Sequence, residues 1–249
     1  MQRPLLSLIV AAGAALRLWG LGRDSLWHDE SWTWGLVQEG PAKLLEYFVR
    51  ADAHPPLYFL LMSGWADFGS SEAWLRLPSA LAGIASILLI FRLGRRLGGE
   101  RAGLFAALFL ALSPYAVRYS QEARSYALLF LLCLAALDAL LDVRDFPESR
   151  AWIRLGVLAG AIVLTHYLGL LFLVALGATI LIWGAFPRRP LLLAGLLSLA
   201  VFAPWFFPAF DHVRLIESSF WLPAPTQPVV GYSHGELIAR SAPPRFARP

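Results

Sequence analysis

The stretch RLPSALAGIASILLIFRLGRRLGGER, residues 76–101, decides how the chain is read. Residues 77–93 form an apolar run long enough, at roughly 17–25 residues, for a helix that crosses hydrocarbon. Directly after it come Arg95, Arg96 and Arg101 in a short loop. Short loops rich in arginine stay on the cytoplasmic side of a membrane. One segment therefore supplies both a span and its direction.

The rest of the composition agrees. Of the 249 residues, 58% are hydrophobic and only 15% charged, against about 25% charged in soluble domains. Mean hydropathy is +0.60. The net charge of +4 is carried almost wholly by arginine, and it is explained by loop sidedness, without a basic stripe for nucleic acid. The single cysteine, Cys133, lies inside an apolar run and reads as a small buried hydrophobe.

Six more spans follow from the same criterion: residues 5–22, 102–117, 125–141, 151–165, 168–186 and 191–209. The fifth and sixth spans are separated at Thr165-His166-Tyr167. The start reads as an uncleaved first span, because its apolar run continues past an alanine cluster to Gly22. The loops 94–101, 142–150 and 187–190 carry Arg95, Arg96, Arg101, Arg144, Arg150, Arg188 and Arg189, and are expected on the cytoplasmic side. The opposite side then receives residues 23–76, the turn at 118–124, the break at His166 and the chain after about 210. Residues 54–69 are apolar but short, and a crossing there would put the 94–101 loop outside. They are expected to dip into the outer leaflet or lie on the bundle, with a short span paired to a second crossing near 70–76 as the alternative. In GPAKLLEYFVRA, Pro41 suits a first helical turn, and Leu44, Leu45 and Phe48 form an apolar stripe, as in an interfacial helix. The expected fold is an all-α, polytopic membrane bundle of about seven to eight transmembrane helices, with interfacial amphipathic helices in an outer loop at about 23–76.

The unusual polar residues collect on that outer side. Asp29 and Glu30 sit in LWHDESWTWGLV among Trp27, Trp32 and Trp34; Asp52 and His54 precede the apolar dip. Arg76 opens the second span. Arg118, Gln121, Glu122 and Arg124 lie in SPYAVRYSQEARSYALL, and His166 lies in the later break. Ionisable groups at membrane depth are costly and line cavities or pair with one another. Each has a plain alternative: the acids as solvated residues in a first helical turn, His54 as a turn residue, Glu122 and Arg124 as an exposed pair, His166 as a bonded core histidine, Arg76 as a snorkelling cation. Their convergence from separate segments points to an outward-facing polar cavity.

In order and spacing, the acidic pair, HPPLY, RLPS and QEAR resemble the GT-C type integral-membrane glycosyltransferases, and most closely the family 39-like branch. That branch includes protein O-mannosyltransferases and lipid A aminoarabinose transferases, and the likeness runs from about residue 5 to about residue 226. The resemblance implies transfer of a sugar from a polyprenyl-phosphate-linked donor to a protein, lipid or glycan hydroxyl. It places the active site at the periplasmic or outer face of a bacterial cytoplasmic membrane. The catalytic acid of the first outer loop maps onto Asp29, with Glu30 beside it. Donor and phosphate binding map onto His54, where relatives often carry lysine, and onto Arg76, Gln121, Glu122, Arg124 and His166. A base near its acceptor proton and a cation near the leaving phosphate suit that chemistry, by inverting single displacement. No cofactor is expected; a divalent metal completed by Glu122 or His166 is the alternative. Family members are longer, with more spans, and residues 227–249 do not resemble their continuation; that tail is expected to be disordered and non-native. Two other readings are a transporter or flippase, which requires a polar path through the bilayer, and an inactive truncated fragment.

Overall fold

The computed structural model describes residues 2–50, 54–184 and 186–219. Asp52 and the tail at 227–249 lie outside them. The described residues form eleven α-helices and one 3-10 turn. They are α1 (Gln2–Leu18), α2 (His28–Val37), α3 (Pro41–Arg50), α4 (Leu57–Ala66), α5 (Glu72–Leu112), α6 (Pro114–Ser120), α7 (Tyr126–Asp145), α8 (Ala151–Thr165), α9 (Gly169–Trp183), α10 (Arg188–Phe202), the turn Ala203–Trp205 and α11 (Phe206–Ser219).

Three stretches are long and apolar enough to cross a membrane by length: Glu72–Leu112, Tyr126–Asp145 and Arg188–His212. Pro4–Leu18, Leu57–Ala66, Ala151–Thr165 and Gly169–Trp183 are shorter apolar helices. The stretch quoted above is half of a helical hairpin. Gly99 takes φ 81° and ψ 179°, a conformation that glycine supplies without a Cβ clash. The two halves of α5 then return side by side: a Cβ on Gly94 would stand 2.8 Å from the Gly103 Cα. Such contact between small residues is how membrane helices approach closely. α1 lies across the pair, with Gly13 beside Ala111 and Ile9, Ile87, Ala107 and Ala111 forming a buried cluster. Arg17, fully buried in α1, donates to the carbonyls of Gly13, Leu110 and Ala111 at 3.0–3.1 Å. It thereby satisfies the orphan carbonyls at the end of α5.

Span boundaries differ from expectation in three places. The run 102–117 is broken at Ser113-Pro114: Ser113 Oγ accepts the Ala116 N–H at 3.3 Å, and Pro114 starts α6. The first helix stops at Leu18, before Gly20 at φ 68°. The last run divides at the turn holding Pro204.

α4, the segment at issue in 54–69, has ten residues, or roughly 15 Å against a hydrocarbon thickness near 30 Å. Tyr58, Phe59 and Met62 bury it against Val37, Leu44, Phe48, Leu75, Ala123 and Trp205. The stripe of α3 is likewise turned onto protein, with Leu44 and Phe48 buried and only Leu45 outward. α2, α3 and α4 thus form a cap on the bundle. Ser63 Oγ ties α4 to the Val37 carbonyl at 3.3 Å, and Trp65 and Trp74 stack at 4.4 Å while each indole N–H donates to the other's carbonyl.

Candidate active site

The sequence-predicted residues converge under this cap, but in two separate networks. The first is closed. Glu30 is at the third position of α2, where its Oε2 accepts the Trp27 N–H at 3.2 Å and completes half of a capping box. Arg76 meets it in a fork: Nε to Oε1 at 2.8 Å and Nη2 to Oε2 at 2.7 Å. The Ala123 N–H adds a bond to Oε1 at 2.8 Å. The remaining Arg76 donors go to the carbonyls of Leu21, Asp24 and Ser25 at 2.9–3.1 Å. Both residues are buried. Burial by itself pushes the Glu30 carboxyl up, but the Arg76 guanidinium and the Ala123 and Trp27 amides outweigh it and hold Glu30 below its ordinary value. Four donors occupy four lone-pair directions, so the pair joins α2, α5, the 21–25 loop and the 122–124 turn with no capacity left over.

The second network is open. Asp29, one residue earlier on the helix, leaves 36% of its side chain exposed and faces Arg124 Nη2 at 3.8 Å. Arg124 is buried, with Nη1 at 3.4 Å from the Asp29 carbonyl and 3.5 Å from Thr33 Oγ1. Among the described residues its Nε has no partner, and the buried Tyr58 hydroxyl stands beside Ser79, close enough to sense the Arg124 charge. Ser79 Oγ holds the Arg124 carbonyl at 3.2 Å. His54 and His166 approach edge to face, with centroids 6.4 Å apart, and the Tyr126 ring lies 5.5 Å from His166. The Leu168 N–H donates to His166 Nδ1 at 3.1 Å, so the neutral ring carries its proton on Nε2. Burial, then His54 and Arg124, push His166 down to about 4.

Gln121 and Glu122 belong to neither network. The Gln121 amide donates to the carbonyls of Leu16, Arg17 and Trp19, closing the end of α1. Glu122 accepts from Arg118 Nε at 3.1 Å. Both line a cleft of about 590 Å³ whose walls include Trp27, Glu30, Arg76 and Arg118. Among the described residues no three His, Cys, Asp or Glu side chains gather as metal ligands. The sequence reading missed Tyr58, whose only signal was the last letter of HPPLY. It also missed Asp138, which is buried at the far end of α5 and α7 and paired with Arg92 at 2.7 Å, Arg96 at 3.1 Å and Arg154 at 3.2 Å. On the stretch of α5 and α7 between the two charged ends, Leu89, Ile90, Leu134 and Leu137 pack together, in one cluster with Leu93 and Leu141 at the level of Asp138.

The apolar, all-helical bundle is that of the GT-C type integral-membrane glycosyltransferases. The chain belongs to the dolichyl-phosphate-mannose-protein mannosyltransferase family, whose model matches residues 53–207. A curated relative, undecaprenyl phosphate-alpha-4-amino-4-deoxy-L-arabinose arabinosyl transferase 2 of Pseudomonas fluorescens, is 31% identical over 174 residues, 66% of this chain and 29% of that protein. The fold is also that of the S. cerevisiae protein O-mannosyltransferase Pmt1–Pmt2 complex bound to the sugar donor, with a TM-score of 0.64 and 19% identity over 90% of this chain and 34% of the other. The chain therefore spans about a third of the length of the relatives it matches.

Proposed function

We propose that this chain carries the donor site and the catalytic base of a glycosyltransferase that moves a sugar from a polyprenyl-phosphate-linked donor to an acceptor hydroxyl. The reading places the site at the outer face of a bacterial cytoplasmic membrane. The observation that carries it is the contrast between two buried arginines. Arg76 has every donor committed, whereas Arg124 keeps an unpartnered Nε and only contacts of 3.4–3.8 Å, between Asp29 and the His54–His166 pair. A buried cation with unspent donors suits an incoming phosphate.

In the proposed reaction the acceptor oxygen attacks the sugar's anomeric carbon while Asp29 takes the hydroxyl proton. The bond from that carbon to the phosphate oxygen breaks, and the electron pair leaves with the lipid phosphate. Arg124 and the Tyr58 hydroxyl meet the charge that develops there. His166, neutral at pH 7, contributes an Nε2–H donor without a positive charge. Single displacement inverts the anomeric centre, and a trapped sugar–enzyme adduct would contradict it. An apolar cavity of about 410 Å³, lined by Tyr119, Tyr126, Leu129 and Phe130, adjoins the site through Tyr126 and suits an isoprenoid chain. The relatives' names, an undecaprenyl-phosphate sugar transferase and a mannosyltransferase bound to its sugar donor, agree with this class. The leucine layer across α5 and α7 speaks against a flippase, which needs a continuous polar path.

Membranes holding the chain, supplied with labelled polyprenyl-phosphate sugars and candidate protein, lipid and glycan acceptors, test the reading. Asp29→Asn is expected to abolish transfer, Arg124→Gln to raise the KM for donor, and Glu122→Gln to retain activity. No resident metal takes part in the proposal, so chelator is expected to leave turnover unchanged. Equal transfer by wild type and Asp29→Asn would sink the assignment.

A further inference from the structure

We infer that His212 is a positioning residue for this site: it locks together the two segments that carry His54 and His166. The inference rests on the donor-site reading above. His212, on α11, is 2% exposed. Its Nε2 lies 2.7 Å from the Phe48 carbonyl oxygen. A carbonyl has no hydrogen to give, so Nε2 is the donor and carries the ring proton. In the neutral ring Nδ1 is then an acceptor, and takes the hydroxyl hydrogen of Tyr167 at 2.8 Å. The Tyr167 oxygen in turn accepts the Trp205 indole N–H at 3.2 Å. Every link therefore has one direction, from Trp205 to Tyr167 to His212 to Phe48.

Where the chain ends matters more than its length. Phe48 lies in the last turn of α3 as described, Pro41–Arg50, where helix carbonyls call for partners from outside the helix. His212 caps that turn, six positions before His54. Tyr167 immediately follows His166, in the break between α8 and α9. One imidazole thus ties the last turn of α3 to the break that carries His166, whose ring centroid lies 6.4 Å from that of His54. Both ring nitrogens are used in the lock, so His212 has none to offer a substrate.

The test is made on the whole chain in membranes, with Cys133→Ala as background. His54→Cys and His166→Cys report the approach of the two segments through a short bifunctional thiol reagent. Donor KM and kcat are measured separately with both histidines intact. His212→Phe keeps the volume and removes both bonds; His212→Gln retains one donor and one acceptor. We expect His212→Phe to lose most of the cross-linking and to raise the donor KM about tenfold, the size of a lost buried hydrogen bond, with kcat little changed. His212→Gln is expected to restore both. Should His212→Phe fail to fold, Tyr167→Phe, which deletes one hydroxyl, carries the same expectation to a smaller extent. Wild-type cross-linking and KM in the folded variant, or equal loss in the Phe and Gln variants, would overturn the inference. A wild-type chain that cross-links but transfers no sugar would instead count against the function and leave the lock standing.

Discussion

Asp29 and Glu30 are neighbours with opposite fates. One helical step turns Glu30 inward, onto Arg76 and two backbone amides, and leaves Asp29 at the rim with a single loose cation. Their substitution should separate in kind. Glu30→Gln leaves Arg76 buried without its counter-charge, and breaking one side of a buried pair costs roughly 3–5 kcal/mol; the melting transition in detergent should fall steeply and activity with it. Asp29→Asn should melt like wild type, because its one ion pair is long and partly exposed. A Glu30→Gln protein of wild-type stability would contradict the framework role. In the sequence the family resemblance singled out Asp29, but the role of Glu30 was not legible, since a letter gives no indication of which donors surround it. Tyr58, His212 and Asp138 were invisible for the same reason: the polar groups each one meets stand 16 or more positions away.

Helix positions were legible, because apolar run length is a property of the letters themselves. The ends were harder. Ser113-Pro114 stops an otherwise continuous run by a local cap, and the read-through to residue 117 ignored it. The hairpin in α5 depends on glycine at the contact. A side chain on Gly103 would press within 2.6 Å of the Phe91 carbonyl oxygen and 3.0 Å of the Arg95 nitrogen, both backbone. Gly103→Val should therefore part the two halves and lower the melting temperature, with overpacking costs typically near 1–3 kcal/mol. Gly195→Ala is the control: nothing lies within 4 Å of its Cβ position, and it stands within helix α10. That change should be neutral or stabilising by about 0.5–1 kcal/mol, the helix propensity of alanine over glycine. Equal melting of both variants would show that the halves are not in close contact.

Across the molecule, charge sits at two ends with leucine between. At one end Asp138 is shared by Arg92, Arg96 and Arg154, and at the other lie the Glu30–Arg76 pair and the open site. The pH dependence of global stability belongs to this arrangement. His166 is held at about 4, against an ordinary value of 6.5, by burial, His54 and Arg124. As pH falls below 6.5 the unfolded chain takes up a proton that the folded chain refuses, so stability declines towards pH 4 and the loss is complete below it. Glu30, held below its ordinary value, loses its own share as pH falls through that depressed value. Thermal melts from pH 8 to pH 4 should show a flat region above about 7 and a decline beneath it. His166→Asn should flatten the upper part of that decline; an unchanged profile would remove His166 as its source.

Apolar periodicity and four short motifs were enough to specify a membrane helix bundle and its family, because each is local and additive along the chain. Which carboxylate is committed and which is open, which arginine is saturated and which has donors to spare, and that a histidine on α11 holds two distant segments in place were decided only by folding. Hydrogen-bond capacity is finite and is used by whichever groups the tertiary structure brings within about 3 Å. No pattern of letters records that distance.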